Sequence, residues 1–283
     1  MPVRNMRLRL SVIFIVLLTI ISCKKNEVPV DSSKILDLSS FGSVNMIKEI
    51  GGEIFVLNST ASAIHKMSGG SLSLFRDLEI GGRDFLLDFD IEGDNVYYSN
   101  TYDEIFVSSG SSIEDTIKVF NPDRIAVIDS LLFVTSRKPE DGFVLLKLID
   151  IKSKKEINCI LLNDSLIIEM KFAQVSIAED KDGLWVMNPF RSKVEKYDSN
   201  LKVVSSIDLP AGYEYGNFNF SGGGLKIITS KDNEILIFSN QNSCSEFLPI
   251  RGIKFGSIDI RSSCVTKDKI YLYDYIEGVI TIR

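Results

Sequence analysis

The 283-residue sequence has very few of the residues that carry catalytic or metal chemistry, and each shortage excludes a class of site. A single histidine, His65, excludes multi-histidine metal centres and hydrolases of the H-E-x-x-H type. Neither a G-x-S-x-G nucleophile elbow nor a glycine-rich phosphate loop occurs. We therefore expect no catalytic residues of these familiar types.

Cysteine is also scarce, with four in the chain. Three of them, Cys159, Cys244 and Cys264, follow the N-terminal region and have no C-x-x-C spacing. An odd number without such spacing is not a disulfide framework, and a chain of this length does not need one. We expect single thiols, with Cys244–Cys264 as the only pair worth testing.

No apolar run is long enough to span a membrane, but a short one lies at the N-terminus. Arg4, Arg7 and Arg9 precede a 12-residue apolar segment, 10–21, which ends at Ser22-Cys23. A transmembrane helix needs about 20 apolar residues. A basic start, a short apolar core and small residues at its end are typical of a signal peptide. The ending resembles a bacterial lipobox, which implies a signal peptide over 1–22 and a lipid on Cys23 that anchors the protein in a membrane.

Positive charge is in short supply once that segment is removed. The remaining chain has 29 Lys and Arg against 38 Asp and Glu, a net charge of −9. Nucleic-acid binding needs clustered positive charge, so we expect no nucleic-acid partner. Residues 23–33 are polar and are predicted to be a tether. The absence of Asp after Cys23 favours the outer membrane of the bacterial envelope, by resemblance to lipoprotein sorting rules.

Repetition is the strongest feature that is present. Six times an apolar and aromatic run is followed by a polar residue and a turn, and the starts of these runs lie 42, 36, 52, 41 and 45 residues apart. The six runs are Ile54–Asn58, Val96–Asn100, Leu132–Ser136, Leu184–Asn188, Leu225–Thr229 and Ile270–Asp274. Strand-like repeats at this period predict an all-β fold, a six-bladed β-propeller over residues 34–283. The last repeat has room for three strands, so we expect 34–38 to supply its fourth strand and close the ring.

The fourth repeat is the most regular. Residues 177–188 and 193–198 alternate strand and turn, with 179–183 predicted as a turn. This pattern resembles an NHL-type repeat, and the whole chain resembles the six-bladed NHL- or TolB-like propeller lipoproteins of Bacteroidota. The resemblance implies the fold and export to the cell envelope. It carries no catalytic signature.

The first strand of each blade should line the ring axis. Alternate residues there form an apolar column and a polar one, because successive side chains point to opposite faces of a strand. We assign the polar column to the axial channel. Its candidate functional residues are Asp88, Asp90, Arg124, Asn217 and Asn219.

Two interpretations of this channel stay open. Asp88, Asp90, Asn217 and Asn219 offer the oxygen ligands that Ca²⁺ prefers, as in calcium-dependent lactonases. Against this, Arg124 is expected to neutralise Asp88, and Lys48 is expected to flank Asp90. A charge-paired channel without a metal or other cofactor is the favoured interpretation.

The face at which the second strands end is the predicted working surface. Aromatic residues beside Arg and Asn are typical anchors for a protein, a peptide or a glycan. The candidate binding residues are Asn100, Tyr102, Asn188, Phe190, Arg191, Tyr213, Tyr215 and Tyr275. We expect a non-enzymatic binding or scaffold protein, with a calcium-dependent, lactonase-like hydrolase as the alternative.

Overall fold

The structure is a computed structural model. It describes residues 33–36, 44–68, 70–78, 86–110, 112–138, 142–163, 175–180, 182–210, 214–221, 224–231, 234–239, 248–254, 260–266, 269–274 and 278–282. Cys23, the signal segment and the tether up to residue 32 lie outside this part of the chain. Among the described residues, no helix has the length and hydropathy needed to cross a membrane.

The described chain forms antiparallel strands, and the all-β prediction is confirmed. The strand nearest the N-terminus is β1 (Ser33–Leu36). Sheet one consists of β2 (Val44–Ile50), β3 (Glu53–Asn58), β4 (Ala63–Ser68) and β5 (Ser71–Asp77). Sheet two consists of β6 (Leu86–Glu92), β7 (Asn95–Asn100), β8 (Glu104–Ser109) and β9 (Ser112–Lys118). Sheet three consists of β10 (Pro122–Ile128), β11 (Leu131–Lys138), β12 (Phe143–Asp150) and β13 (Lys155–Leu161).

The second half of the chain repeats this arrangement. Sheet four consists of β14 (Ser176–Asp180), β15 (Gly183–Asn188), β16 (Lys193–Tyr197) and β17 (Val203–Asp208). Sheet five consists of β18 (Glu214–Ser221), β19 (Gly224–Lys231), β20 (Glu234–Ser239) and β21 (Leu248–Lys254). Sheet six consists of β22 (Ile260–Val265), β23 (Ile270–Asp274), β24 (Gly278–Ile282) and β1.

The first strands of the sheets contact one another in cyclic order. Strand β2 lies against β6, β6 against β10, β10 against β14, β14 against β18, β18 against β22, and β22 against β2. Each first strand therefore contacts the first strands of two other sheets.

The two ends of the described chain meet in sheet six. Strand β1 pairs antiparallel with β24, with Ser33 opposite Thr281 and Lys34 opposite Ile280. The predicted pairing of the N-terminal segment with the last repeat is confirmed, with Ser33–Leu36 as its described extent. This pairing removes an open edge from β24.

The core consists of separate apolar clusters between successive sheets. Sheets one and two share a cluster that includes Leu57, Phe89 and Tyr98, all fully buried. Similar clusters join sheets six and one, two and three, three and four, and four and five. The second strands β3 and β15 are buried on both faces, because neighbouring sheets cover each side.

One detail differs from the sequence-based expectation. Glu179 and Asp180 were predicted as a turn, but they belong to β14 and pair with Leu184 and Gly183. The cause is register, because β14 continues through Asp180, which still pairs with Gly183 of β15. Cys159 and Cys264 are not disulfide-bonded, and Cys244 lies outside the described residues.

Candidate functional site

Two aspartates of the predicted channel column join sheet two to sheet three. Asp88 and Asp90 lie on β6 and are almost completely buried. The backbone N–H of Ile125 donates to Asp88 Oδ2 at 2.9 Å, and that of Val127 donates to Asp90 Oδ2 at 2.5 Å. The other oxygen of each carboxylate accepts the N–H of the next residue on β6, at 2.8 Å. All four carboxylate oxygens therefore have backbone donors.

The same position of the repeat joins sheet six to sheet one. Ser262 lies eight residues before the apolar run that starts at Ile270, as Asp88 lies eight residues before the run that starts at Val96. Its buried hydroxyl oxygen accepts the backbone N–H of Ile47 at 2.9 Å. The polar column thus supplies hydrogen-bond acceptors that bind the first strand of the next sheet.

Lys48 crosses from sheet one to this junction. Its Nζ lies 2.9 Å from Asp88 Oδ1 and donates to the backbone oxygens of Phe89, at 2.7 Å, and Ile125, at 3.1 Å. Burial alone would lower the pKa of Lys48, but the negative charges of Asp88 and Asp90 outweigh it and the pKa is raised. The ammonium is therefore held charged between three sheets.

One charge partner differs from the prediction. Lys48, which was expected to flank Asp90, forms an ion pair with Asp88. Arg124 is buried on β10, where its Nη1 donates to the backbone oxygen of Leu87 at 3.3 Å and its Nε lies 3.9 Å from Asp123. Both β2 and β10 contact β6, so strand order alone could not show that Lys48 pairs with Asp88.

Glu179 was missed by the sequence analysis, which placed it in a turn. It approaches Asp90 from β14 and forms a side-chain hydrogen bond with it. Glu179 remains accessible to solvent, but the groups packed around its carboxyl remove part of its solvation. This loss, followed by the negative charge of Asp90 and this hydrogen bond, raises the pKa of Glu179 to about 9. The protonated carboxyl is then the donor to Asp90. The signal that would have placed Glu179 in the strand is the comparison with β6, which pairs with β7 as far as Glu92.

We call Lys48, Asp88, Asp90 and Glu179 the axial cluster. Burial, Asp90 and Asp129 also raise the pKa of nearby Glu92, so negative charge is in excess on this side of β6. In the part of the chain that the structure describes, no three His, Cys, Asp or Glu side chains are grouped to hold a metal ion. Asn217 and Asn219 lie on β18, and their side chains are outside the described structure.

Two amides predicted for the binding face are buried instead. Asn100 and Asn188 end the second strands β7 and β15, and both are fully buried. Asn100 Oδ1 accepts the N–H of Tyr102 at 2.9 Å, and Asn188 Oδ1 accepts the N–H of Phe190 at 3.2 Å. Asparagine therefore recurs here because it closes the turn with its own side chain, and neither amide contributes to an exposed surface.

Phe190 and Arg191 are likewise held within the fold. Phe190 is half-buried and packs against the cluster between sheets three and four. Arg191 Nη2 donates to the backbone oxygen of Leu161 at 3.2 Å, and its Nη1 lies 3.6 Å from buried Glu195. Tyr197 donates its hydroxyl proton to the same glutamate at 2.7 Å. These contacts indicate a structural network at the junction of sheets three and four.

We expect Asn188→Ala to lower the free energy of unfolding by about 2 kcal/mol, because it removes the donor to the buried backbone oxygen of Leu162 and the acceptor for the N–H of Phe190. Asn188 Nδ2 donates to the backbone oxygen of Leu162 at 2.8 Å and contacts Glu195 at 3.4 Å. Urea denaturation measures the change. Asn200→Ala, in an exposed turn of the same sheet, is the control. Equal stabilities of the two variants would contradict a capping role.

One predicted binding residue is well exposed, and the connection hydrogen-bonded to its turn has an exposed aromatic residue that the sequence analysis did not select. Tyr102 is 53% exposed in the β7–β8 turn, and Phe120 is 51% exposed in the β9–β10 connection. Phe120 lies between Val119, which is buried, and Asn121-Pro122. The turn signal after Phe120 was the available clue that it projects from the surface.

Hydrogen bonds hold the backbone beneath these two rings. Asp103 accepts the N–H of Val119 on its backbone oxygen, at 3.0 Å, and the N–H of Asn121 on Oδ1, at 2.8 Å. Asn121 Nδ2 donates to the backbone oxygen of Arg137 at 3.0 Å, and the Arg137 N–H donates back to Asn121 at 3.2 Å. Asn121 has a left-handed φ of 44°. We call Tyr102, Phe120, Asn121 and Arg137 the aromatic junction.

The remaining predicted binding residues are not described in enough detail to be placed at a site. Tyr213 and Tyr275 lie outside the described residues. Tyr215 pairs with Thr229 in the backbone of sheet five, and its side chain is outside the described structure.

Comparisons with known proteins identify the arrangement of sheets. No protein-family model and no curated protein matches the chain. A solved streptogramin B lyase is similar, with a TM-score of 0.56 and 15% identity over 84% of this chain and 78% of that one. The chain is a β-propeller.

Two further solved structures share this propeller fold. One is a catalytically inactive histidine-to-alanine variant of virginiamycin B lyase from Staphylococcus aureus with quinupristin, with a TM-score of 0.56 and 12% identity over 89% of this chain and 98% of that one. The other belongs to a mitotic checkpoint complex, with a TM-score of 0.53 and 11% identity over 90% of this chain and 88% of that one. Enzymes and assembly components both use this fold, so it does not decide the activity.

Proposed function

We propose that this propeller is a lipid-anchored protein of the bacterial cell envelope that acts without catalysis, as a binding or scaffold module for a protein, a peptide or a glycan. The aromatic junction is the observation that carries the proposal. The axial cluster is the other candidate functional site. Its aspartates and Lys48 already pair with groups of neighbouring sheets and so stabilise the fold.

We further infer that the six sheets are the six blades of one closed ring. Six four-stranded sheets, cyclic contacts between their first strands and the β1–β24 pairing support this count. A closed ring gives the connections between strands a rigid base. Binding surfaces are commonly built on such connections.

The proposed anchoring rests on the sequence. Cys23 follows a signal-like segment, and residues 24–32 are mostly polar, which suits a tether to the outer membrane. The acidic charge of the chain beyond Cys23 disfavours direct contact with anionic lipid. These features resemble those of envelope lipoproteins of Bacteroidota.

The aromatic junction has the composition of a recognition surface. Tyr and Arg are enriched among residues that dominate binding energy, and exposed rings gain when a partner covers them. Arg137 lies 4.0 Å from Asp123, so the junction also presents a charged pair at its edge. Because hydrogen bonds already hold this backbone, binding here would cost little conformational entropy.

The test is affinity capture by the full lipidated chain from detergent-solubilised envelope, followed by quantitative mass spectrometry. We expect Tyr102→Ala/Phe120→Ala to lower recovery of a stoichiometric partner by about tenfold or more, from the loss of two aromatic anchors. A glycan array probed with the wild type and with the double variant tests for a carbohydrate ligand.

The matched control is Leu74→Ala/Phe75→Ala. These residues are also exposed and apolar, but they lie on the outer strand β5. Equal loss of the partner in both double variants would indicate non-specific adhesion and would count against the aromatic junction. Unchanged melting temperatures establish that both variants are folded.

A calcium-dependent, lactonase-like hydrolase is the second candidate, and the carboxylates of Asp88, Asp90 and Glu179 are the observation in its favour. Calcium that raises the melting temperature of the wild type by several degrees, with the gain lost in Asp88→Ala, would support it. Histidine chemistry is not part of this candidate, because His65 lies in β4, the third strand of sheet one.

A further inference from the structure

The contacts of Lys48 have the chemistry of a cation site. Its ammonium group has three N–H donors and three oxygen neighbours: Asp88 Oδ1 at 2.9 Å, Phe89 O at 2.7 Å and Ile125 O at 3.1 Å. A carboxylate combined with backbone carbonyls is the type of oxygen set that hard cations bind. The three oxygens come from sheets two and three, whereas Lys48 comes from sheet one.

The surroundings of this position require a positive charge. Asp88 and Asp90 are both buried, and their negative charges act on the Lys48 ammonium. Lys48 Nζ lies 2.9 Å from Asp88 Oδ1, so it pairs directly with this buried carboxylate.

We propose that the position of Lys48 Nζ is the cation site of the propeller axis, and that Lys48 fills it as a tethered ammonium joining sheets one, two and three. The ligand class that this site takes, once the side chain is shortened, is a primary alkylammonium. The proposal concerns the axis alone and does not depend on what binds at the aromatic junction.

Chemical rescue of Lys48→Ala tests the assignment. We expect the full-length variant to melt about 10 °C below the wild type, since a buried ion pair loses one partner. Propylammonium contains the three carbons and the ammonium that the substitution removes. Millimolar propylammonium chloride should recover several degrees of the loss, whereas tetramethylammonium chloride, which has no N–H donor, should recover none.

Lys66→Ala is the matched control, because Lys66 pairs with Glu53 at the surface of the same sheet. It should lose little stability and should not respond to propylammonium. A Lys48→Ala variant as stable as this control, or one that propylammonium does not rescue, would overturn the proposal. A calcium-dependent rise in the melting temperature of the wild type would also overturn it, because the site would then not be filled by Lys48.

A second comparison covers the case in which Lys48→Ala does not fold. Lys48→Met leaves the Asp88 charge unpaired, and Lys48→Met/Asp88→Asn removes it. We expect the double variant to be the more stable of the two. Equal or lower stability of the double variant would contradict charge pairing at this position.

Discussion

Asp88→Ala is expected to lower the free energy of unfolding by about 3–5 kcal/mol, which corresponds to about 10 °C in melting temperature for a domain of this size. The substitution removes the acceptor for the backbone N–H of Ile125 and the ionic partner of Lys48 in one step. Buried donors without acceptors carry the full cost of desolvation. Calorimetry of the purified protein measures the change.

The matched control is Asp94→Ala, an exposed aspartate in the β6–β7 turn. Asp88→Asn provides an intermediate case, because its amide oxygen still accepts one N–H but carries no charge. We expect stability to decrease from Asp94→Ala to Asp88→Asn to Asp88→Ala. If Asp88→Ala is as stable as the control, the carboxylate does not join sheets two and three in solution.

Hydrogen exchange gives this prediction a local readout. The amide proton of Ile125 is hydrogen-bonded to Asp88, whereas that of Val127 is hydrogen-bonded to Asp90. In Asp88→Ala, protection should fall first at Ile125 and remain at Val127 until global unfolding. Uniform loss of protection across sheets two and three would point instead to a general weakening of the fold.

The repeats could be predicted from sequence because their apolar runs are local and unusually regular. Leu184–Met187 is apolar at successive positions, as expected for a strand covered on both faces, and β15 is buried throughout. The β1–β24 pairing was also predictable, because the last repeat lacked one strand. The first prediction needs only one short apolar run, and the second needs only the number of strands in the last repeat.

The details of the site depend on long-range geometry and were less predictable. Lys48 and Asp88 are 40 residues apart, and their pairing depends on how far a lysine reaches between sheets. Asn100 and Asn188 looked like surface residues because they precede turns, yet each turns its amide inward to cap the backbone. Polar residues at strand ends can satisfy either role, and sequence pattern alone does not distinguish them.

The contact of Glu179 with Asp90 was also not predictable from sequence pattern. It has a measurable consequence, since the environment of Glu179 raises its pKa to about 9. A free glutamate titrates at about 4.3. The unfolded chain therefore ionises at lower pH than the folded protein. The stability due to protonated Glu179 is complete below the unfolded pKa and is lost progressively as pH rises through the folded value.

Glu179→Gln should remove this loss of stability at rising pH. The amide retains a donor toward Asp90 and carries no charge, so the variant should become more stable than the wild type as pH rises from about 5 to about 9. The side chain is accessible to solvent, and screening reduces the gain to a few degrees in melting temperature. Melting curves recorded across this pH range measure the difference between the two proteins.

The change of this melting-temperature difference with pH distinguishes proton sharing between Glu179 and Asp90 from a general effect of removing one carboxylic acid. Asp90, Asp88 and Lys48 are the charged groups that act on Glu179, and they are the same in both proteins. Glu114→Gln, on the exposed outer strand β9, is the control and should give a melting curve parallel to the wild type at every pH. A Glu179→Gln gain that is constant with pH, or absent, would show that Glu179 does not share a proton with Asp90 at the ring axis.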